Sequence, residues 1–298
     1  VIIEWQKTGK PIDPANFFPF SRKTSVEIGF GKGDFIENYC KVYRDNLIGI
    51  EISEYSLRNA IKRLSKYNNI KILKSEAFFA IGHLFRKSTI DKIFIIFPDP
   101  WPKKRHYKKR FLNSEFFDRL AYVLKNRGKI FIITDEKVLA ENINKILQKN
   151  QHFSLKKPPV KYIELAKNTK YGKKWRDYKK QFFIFYLVKV KGIKKYWDDI
   201  LTGKRFDHIL IEDFDLKKFI KKAKGVFIKD KSKFISFKNI YRGERNFILE
   251  FILKEETLLQ NIFLKGEILE KKCVIKSLNP YNTIFTKGFF EIVNALSL

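Results

Sequence analysis

Up to about residue 190 the apolar positions form short continuous runs separated by periodic, amphipathic stretches. Runs at 24–28 (TSVEI), 47–52 (LIGIEI), 70–73 (IKIL), 93–97 (IFIIF) and 129–134 (KIFIIT) predict strands covered on both faces, as inside a parallel sheet. Between them, helices are predicted from the glycines at 29–33 to about Tyr43, from an N-cap at Ser53 to about Tyr67, over 77–86, over 115–125 with Gly128 closing it, and over 136–149. After a Pro158-Pro159 break, a polar segment leads through Thr169-Lys170-Tyr171 to a last apolar strand at 182–190. Strands alternating with helices at this spacing imply an α/β fold: a Rossmann-like, doubly wound, mainly parallel sheet.

The two ends of the chain differ from this middle. Residues 1–23, with Pro11, Pro14 and Pro19 among Trp5, Phe17, Phe18 and Phe20, predict an irregular lead-in. From residue 192 a mixed connector with Trp197 and Asp198 runs to about Lys224. Beyond it FILEFIL, NIFLKGEIL and KCVIKSL alternate with period two, predicting a smaller, mainly antiparallel β module. The expected domains are therefore 1–191 and 192–298.

Candidate chemistry collects where the strands end. Gly29-Phe30-Gly31-Lys32-Gly33-Asp34 places a glycine-rich turn between a strand and a helix N-terminus, a corner suited to a nucleoside or phosphate. Asp34 stands where a dinucleotide fingerprint has its third glycine, so the loop fits a nucleoside without pyrophosphate better. Glu51, at the end of the second run, is placed to accept ribose hydroxyls, and Glu76-Ala77 to read an adenine edge. With Glu27, Asp99 and Asp135, acidic residues recur at five strand ends. The fourth run continues as FPDPWPKKRHYKKR: Pro98 and Pro100 restrict the backbone on either side of Asp99, Trp101 offers a π-face, and Lys103, Lys104, Arg105, Lys108, Lys109 and Arg110 follow. A fixed anion, an aromatic ring and a phosphate-binding run point to chemistry on a nucleic acid.

Charge sharpens that picture. The formal net charge is +30, and it is loaded in the middle: +5 over residues 1–100, +18 over 101–191 and +7 over 192–298. A uniform coding bias toward lysine would not concentrate so, whereas a polyanion-binding surface would. Cys40 and Cys273 are too few for a disulfide framework or a thiolate metal site, and the four histidines lack ligand spacing, so no metal is expected and a reducing cytoplasm is. No run approaches a membrane-spanning length and no signal peptide is evident. With no Met anywhere, Val1 need not be the true start. Lys217, Lys218, Lys221, Lys222 and Lys224 are compatible with phosphate contact but also with a solvated helix face, and the module reads slightly more as a stabilising appendage than as an extra grip on RNA.

Together these motifs resemble a family. VEIGFGKG with GIEI is similar to the S-adenosyl-L-methionine site of class I methyltransferases. FPDPWPKKRHYKKR, ITD and TKY resemble the bacterial tRNA (guanine-N7-)-methyltransferases over roughly residues 20–190. The resemblance implies S-adenosyl-L-methionine as cofactor, tRNA as partner, and methyl transfer to N7 of a variable-loop guanine. It implies that Glu27 and the loop through Gly29, Gly31 and Gly33 hold the methionine moiety, Glu51 the ribose, and Glu76 and Ala77 the adenine. Asp99 then lies between cofactor and base as the catalytic residue, in the sense of positioning and electrostatics. Lys103, Asp135, Thr169 and Tyr171 surround the guanine, and Arg105, His106, Lys108, Lys109 and Arg110 meet RNA. The chain departs from the family pattern at Gly172, where Glu is usual, and at Lys109, where Arg is usual. Two other readings remain open at this stage: an exocyclic-amine nucleic-acid methyltransferase, and a non-catalytic RNA-binding protein on a methyltransferase scaffold.

Overall fold

The computed structural model describes residues 2–5, 11–99, 112–194, 200–202, 204, 206–230, 232–256, 258–279 and 283–297. The chain divides into two compact units, one of residues 1–3 and 12–197, the other of residues 4–11 and 198–298.

In the first unit the apolar runs become β1 (Thr24–Ile28), β2 (Asn46–Glu51), β3 (Ile70–Lys74), β4 (Ile90–Ile96) and β5 (Leu124–Thr134), all parallel to one another. Helices α1 (Asp34–Val42), α2 (Glu54–Leu64), α4 (Ser114–Val123) and α5 (Lys137–Lys149) connect or follow them. Between β3 and β4 the chain makes only one α-turn, α3 (Ala77–Phe79), and a π-helical turn, Ala80–Leu84, before Phe85 bridges to Ile12. The helix expected over 77–86 is thus shorter and wider. Ser53 caps α2 as expected, accepting from the Ser56 N–H at 3.3 Å.

Two further expectations are corrected. Gly128 does not close α4, which ends at Val123. It lies inside β5, where the register with β4 shifts between Ile90 and Lys92, and Arg127 beside it has φ +59°. A bulge, where the backbone must bend, uses the glycine instead of a helix end. The segment after Pro159, read only as polar, forms two helices, α6 (Val160–Lys167) and α7 (Lys170–Asp177), preceded by a strand, β6 (Phe153–Lys156). The sheet is mainly parallel, as expected, and β7 (Phe183–Lys189) runs antiparallel to both β5 and β6, so the order β3-β2-β1-β4-β5-β7-β6 closes on an antiparallel edge.

A core that includes Phe35, Tyr39, Phe94, Phe131 and Tyr162 packs on this sheet. At its foot Lys92 Nζ meets Asp45 Oδ2 at 2.6 Å and Tyr39 Oη at 2.8 Å, while Ser25 Oγ also donates to Asp45. These polar groups satisfy one another, as a buried charge requires.

The second unit is an antiparallel sheet with two helices. Its strands are β8 (His208–Ile211), β9 (Phe227–Lys229), β10 (Lys233–Arg242), β11 (Asn246–Glu255), β12 (Leu258–Leu269) and β13 (Lys272–Ser277), in the order β8-β13-β12-β11-β10-β9. The alternating runs supply one apolar face, on which α8 (Leu216–Lys224) and α9 (Lys287–Ser297) lie through Phe219, Phe247, Phe251 and Phe289. The connector expected up to Lys224 therefore contains β8 and α8. Glu255 is buried and accepts from the Thr286 hydroxyl and, at 2.8 Å, from the Gly288 N–H at the start of α9.

Candidate active site

The glycine corner is built by backbone geometry. Gly29, Gly31 and Gly33 have φ of +69°, +58° and +84°, the left-handed region that side chains disfavour. The Gly29 N–H donates to Ile50 O, Gly31 N–H to Glu51 Oε2, and Gly33 N–H to Phe30 O, each at 2.9 Å. The loop is thereby laced to the end of β2. Phe30 turns inward across Gly49, where any Cβ would meet its ring at 2.5 Å, so the glycine in β2 makes room for the loop's anchor. A Cβ on Gly29 or Gly31 would meet nothing within 4 Å, so space stands open beside the loop.

Strand order puts the acidic residues in a row. Reading across β3, β2, β1, β4 and β5, the carboxyl ends carry Glu76, Glu51, Glu27, Asp99 and Asp135. The sheet reverses its winding between β1 and β4, and that crevice is where open α/β sheets bind ligands. Glu27 is buried, and its Oε2 has no hydrogen-bond partner. Burial raises its pKa well above the ordinary carboxyl value, the charges of Asp34 and Glu51 push the same way, and the Ile36 N–H opposes them. Glu51 is held by the N–H groups of Ile52 and Ser53 at 2.9 and 2.8 Å on Oε1, with Gly31 on Oε2. Glu76 uses its two oxygens to cap α3, accepting from Phe78 and Phe79 at 3.0 and 2.8 Å. Ala77, next to it, is half-buried.

β4 ends at Ile96. Phe97 then adopts φ +48° while its N–H still donates to Ile133 O at 2.9 Å. A bulky side chain in that region is strained, and the strain sits one residue past the strand, where the chain turns through Pro98 to Asp99. Asp99 is exposed. Lys103, Arg105, His106, Lys108, Lys109 and Arg110 lie outside the described residues.

Opposite this row stands α7. Thr169 caps it, accepting from the Gly172 N–H at 3.1 Å and donating to Ala166 O at 2.8 Å, and the Lys170 N–H donates to Asp34 Oδ2 at 2.9 Å. Tyr171 is 58% exposed. Gly172 packs against the end of α6, where an added Cβ would meet Ala166 O at 2.4 Å and Lys167 Cα at 2.7 Å. A glutamate at this position has no room in this packing. Beyond α7, Lys180 Nζ reaches Asp135 Oδ2 at 2.5 Å.

Residues 21–185 match the family model described as "Putative methyltransferase". The chain belongs to this methyltransferase family. The matched segment lies within the first unit. Curated relatives named tRNA (guanine-N(7)-)-methyltransferase extend the similarity. The protein of Thermotoga maritima is 29% identical over 285 residues, covering 92% of this chain and 88% of the relative. That of Aquifex aeolicus is 29% identical over 288 residues, covering 95% and 93%. That of Thermus thermophilus is 29% identical over 251 residues, covering 80% and 76%.

For a methyltransferase site, several residues beside the expected set are noteworthy. Arg63 on α2 binds both Asp34 and Glu37, fixing the start of α1. Lys180 binds Asp135 of the acidic row and lies over the Trp175 ring, and Tyr178 neighbours that ring. For the two aromatics the signal was present in the sequence as rings at i+4 and i+7 from Tyr171, in a segment read only as polar.

Proposed function

We propose that this chain is a tRNA (guanine-N7-)-methyltransferase that transfers the methyl group of S-adenosyl-L-methionine to N7 of a variable-loop guanine. The reading rests on relatives that carry this name and share most of their length with the chain. The geometry adds a fit for the cofactor. A buried carboxylate with an unpartnered oxygen, Glu27, suits an ammonium group, and the open space beside Gly29 and Gly31 admits a ligand against bare backbone. Glu27 with the glycine loop would hold the methionine portion, Glu51 the ribose, and Glu76 with Ala77 the adenine.

The cofactor supplies an electrophilic methyl group on sulfur. Guanine N7 already has an in-plane lone pair, so no protein base is required to create the nucleophile. The work left to the chain is alignment, which can contribute on the order of 7 kcal/mol relative to free reactants. Positive charge passes to the guanine ring as the new bond forms, and carboxylates there stabilise the transition state more than the ground state. Asp99, on its strained turn, is assigned that role, with Asp135 beside it. The Asp135 oxygen not held by Lys180 remains to accept from guanine N1–H or its exocyclic amine. Thr169, Tyr171 and Lys103 are assigned to the guanine, and Arg105, His106, Lys108, Lys109 and Arg110 to phosphates. Residues 1–191 are assigned the catalysis.

Incubation with labelled cofactor and unmodified tRNA, followed by nucleoside analysis, tests the reading. 7-Methylguanosine from the variable loop is expected. An N-methylated exocyclic amine would replace the reading with that chemistry, and cofactor binding without transfer would replace it with a non-catalytic RNA protein. Asp99→Ala is expected to abolish transfer with tRNA affinity retained, and Arg105→Ala with Lys109→Ala to weaken tRNA binding and flatten its salt dependence.

A further inference from the structure

We propose that α7 and the turn that ends it form a stacking platform for unpaired RNA bases at the edge of the reaction site. The identity of the RNA as tRNA rests on the function proposed above; the platform itself rests on the following geometry.

An aromatic stripe at helical spacing normally faces a core, because burial of those rings is what stabilises the helix. Tyr171, Trp175 and Tyr178 stand at i, i+4 and i+7, yet Tyr171 is 58% and Tyr178 68% exposed, Trp175 is half-buried, and Gly172 is the buried residue of the helix. The stripe faces solvent. Around it residues 170–180 carry six Lys and Arg against one Asp, and among the described residues Lys173, Arg176 and Lys179 make no ion pair. Exposed rings interleaved with unpaired cations are what single-stranded nucleic acid requires: π-faces for bases, charges for phosphates.

The end of the helix is shaped for the same use. Lys179 N–H donates to Arg176 O and Lys180 N–H to Trp175 O, each at 2.9 Å, with Lys179 at φ +53°. This is a Schellman termination, whose left-handed residue is usually glycine and whose final contact is usually apolar. Here a lysine takes the left-handed position at a conformational cost. The final contact is Lys180 Nζ over the Trp175 ring at 3.8 Å, with Lys174 Nζ over it at 4.8 Å. The reversal also carries Lys180 onto Asp135. With Lys170 bound to Asp34, both ends of the aromatic helix are fastened to the carboxyl edge of the sheet, at the glycine corner and at β5.

The test is equilibrium binding of an unmodified tRNA transcript over a salt series, with Trp175→Ala, Tyr178→Ala and the rescue variants Trp175→Phe and Tyr178→Phe. Each alanine variant is expected to raise Kd at least about fivefold while leaving the slope of log Kd against log salt unchanged, since no charge is removed; the phenylalanine variants restore most affinity. The thermal shift given by S-adenosyl-L-methionine should be the same in all. Alanine variants that bind as tightly as wild type overturn the platform, as does affinity lost equally in the phenylalanine variants. If wild-type protein forms no 7-methylguanosine but Trp175→Ala still weakens RNA binding, the platform stands and the methyl-transfer reading falls. If wild type methylates and the alanine variants bind normally, the reverse holds.

Discussion

Lys170 and Asp34 are joined by a hydrogen bond of 2.9 Å from the backbone N–H of the first residue of α7 to the carboxylate of the first residue of α1. It links the element that carries Thr169 and Tyr171 to the loop that carries the glycines. Burial works to raise the Asp34 pKa, but the bonds from Arg63 and Lys170 outweigh it and the net shift is downward. Asp34→Ala removes the acceptor of both Lys170 and Arg63 and should therefore release α7, speed amide exchange at Lys170 and Lys173, and lower kcat/KM for tRNA by at least about tenfold, the scale of losing one or more charge-assisted hydrogen bonds. Asp34→Asn retains an acceptor and should lose less. Unchanged exchange at these amides in the alanine variant would remove the proposed link.

Glu27 should cost the ligand-free protein stability near neutral pH. Its raised folded pKa means the proton is held more tightly in the folded chain, so the cost appears as pH rises through the unfolded value and is complete above the folded one. Glu27→Gln removes the titration with little change of volume. We expect a melting temperature equal to or above wild type at neutral pH, together with loss of most of the shift induced by S-adenosyl-L-methionine. In wild type, binding of the cationic ligand should release protons at mildly acidic pH, measured by calorimetry in buffers of different ionisation enthalpy.

The opposite sign holds at Glu37. Burial opposes its ionisation, yet hydrogen bonds from Arg63 and Tyr67 hold its pKa at about 2. The stability it contributes is present above the unfolded carboxyl value and lost as pH falls toward about 2. The gap in urea-unfolding free energy between wild type and Glu37→Gln should be full at neutral pH and shrink across that acidic window. A gap independent of pH would show that the charge is not what Arg63 and Tyr67 stabilise.

Gly172→Glu should not improve this enzyme, although glutamate is usual there among the proteins it resembles. The added Cβ meets backbone atoms of Ala166 and Lys167, which cannot rotate away. We expect destabilisation of about 1–3 kcal/mol, as for overpacking generally, with Gly172→Ala nearly as costly because the clash begins at Cβ. Thermal melts of the two variants check this; wild-type stability in Gly172→Glu would mean that α6 and α7 can separate freely.

The sequence by itself determined β1 to β5, because continuous runs such as IFIIF can be satisfied only where both faces are covered, and it determined the Ser53 cap and the left-handed glycines, because those are local backbone requirements. It also located the acidic residues at the strand ends. Their arrangement as a row, Glu76, Glu51, Glu27, Asp99, Asp135, was decided only by strand order, which depends on pairings between segments distant in the chain. The antiparallel entry of β7, the use of Gly128 in a bulge and the packing of Gly172 on α6 are likewise settled by neighbours that no local window contains. The same holds for α7: its lysine-rich sequence reads as a solvated segment, and only the tertiary contacts of Lys170 with Asp34 and Lys180 with Asp135 hold its aromatic stripe at the edge of the site.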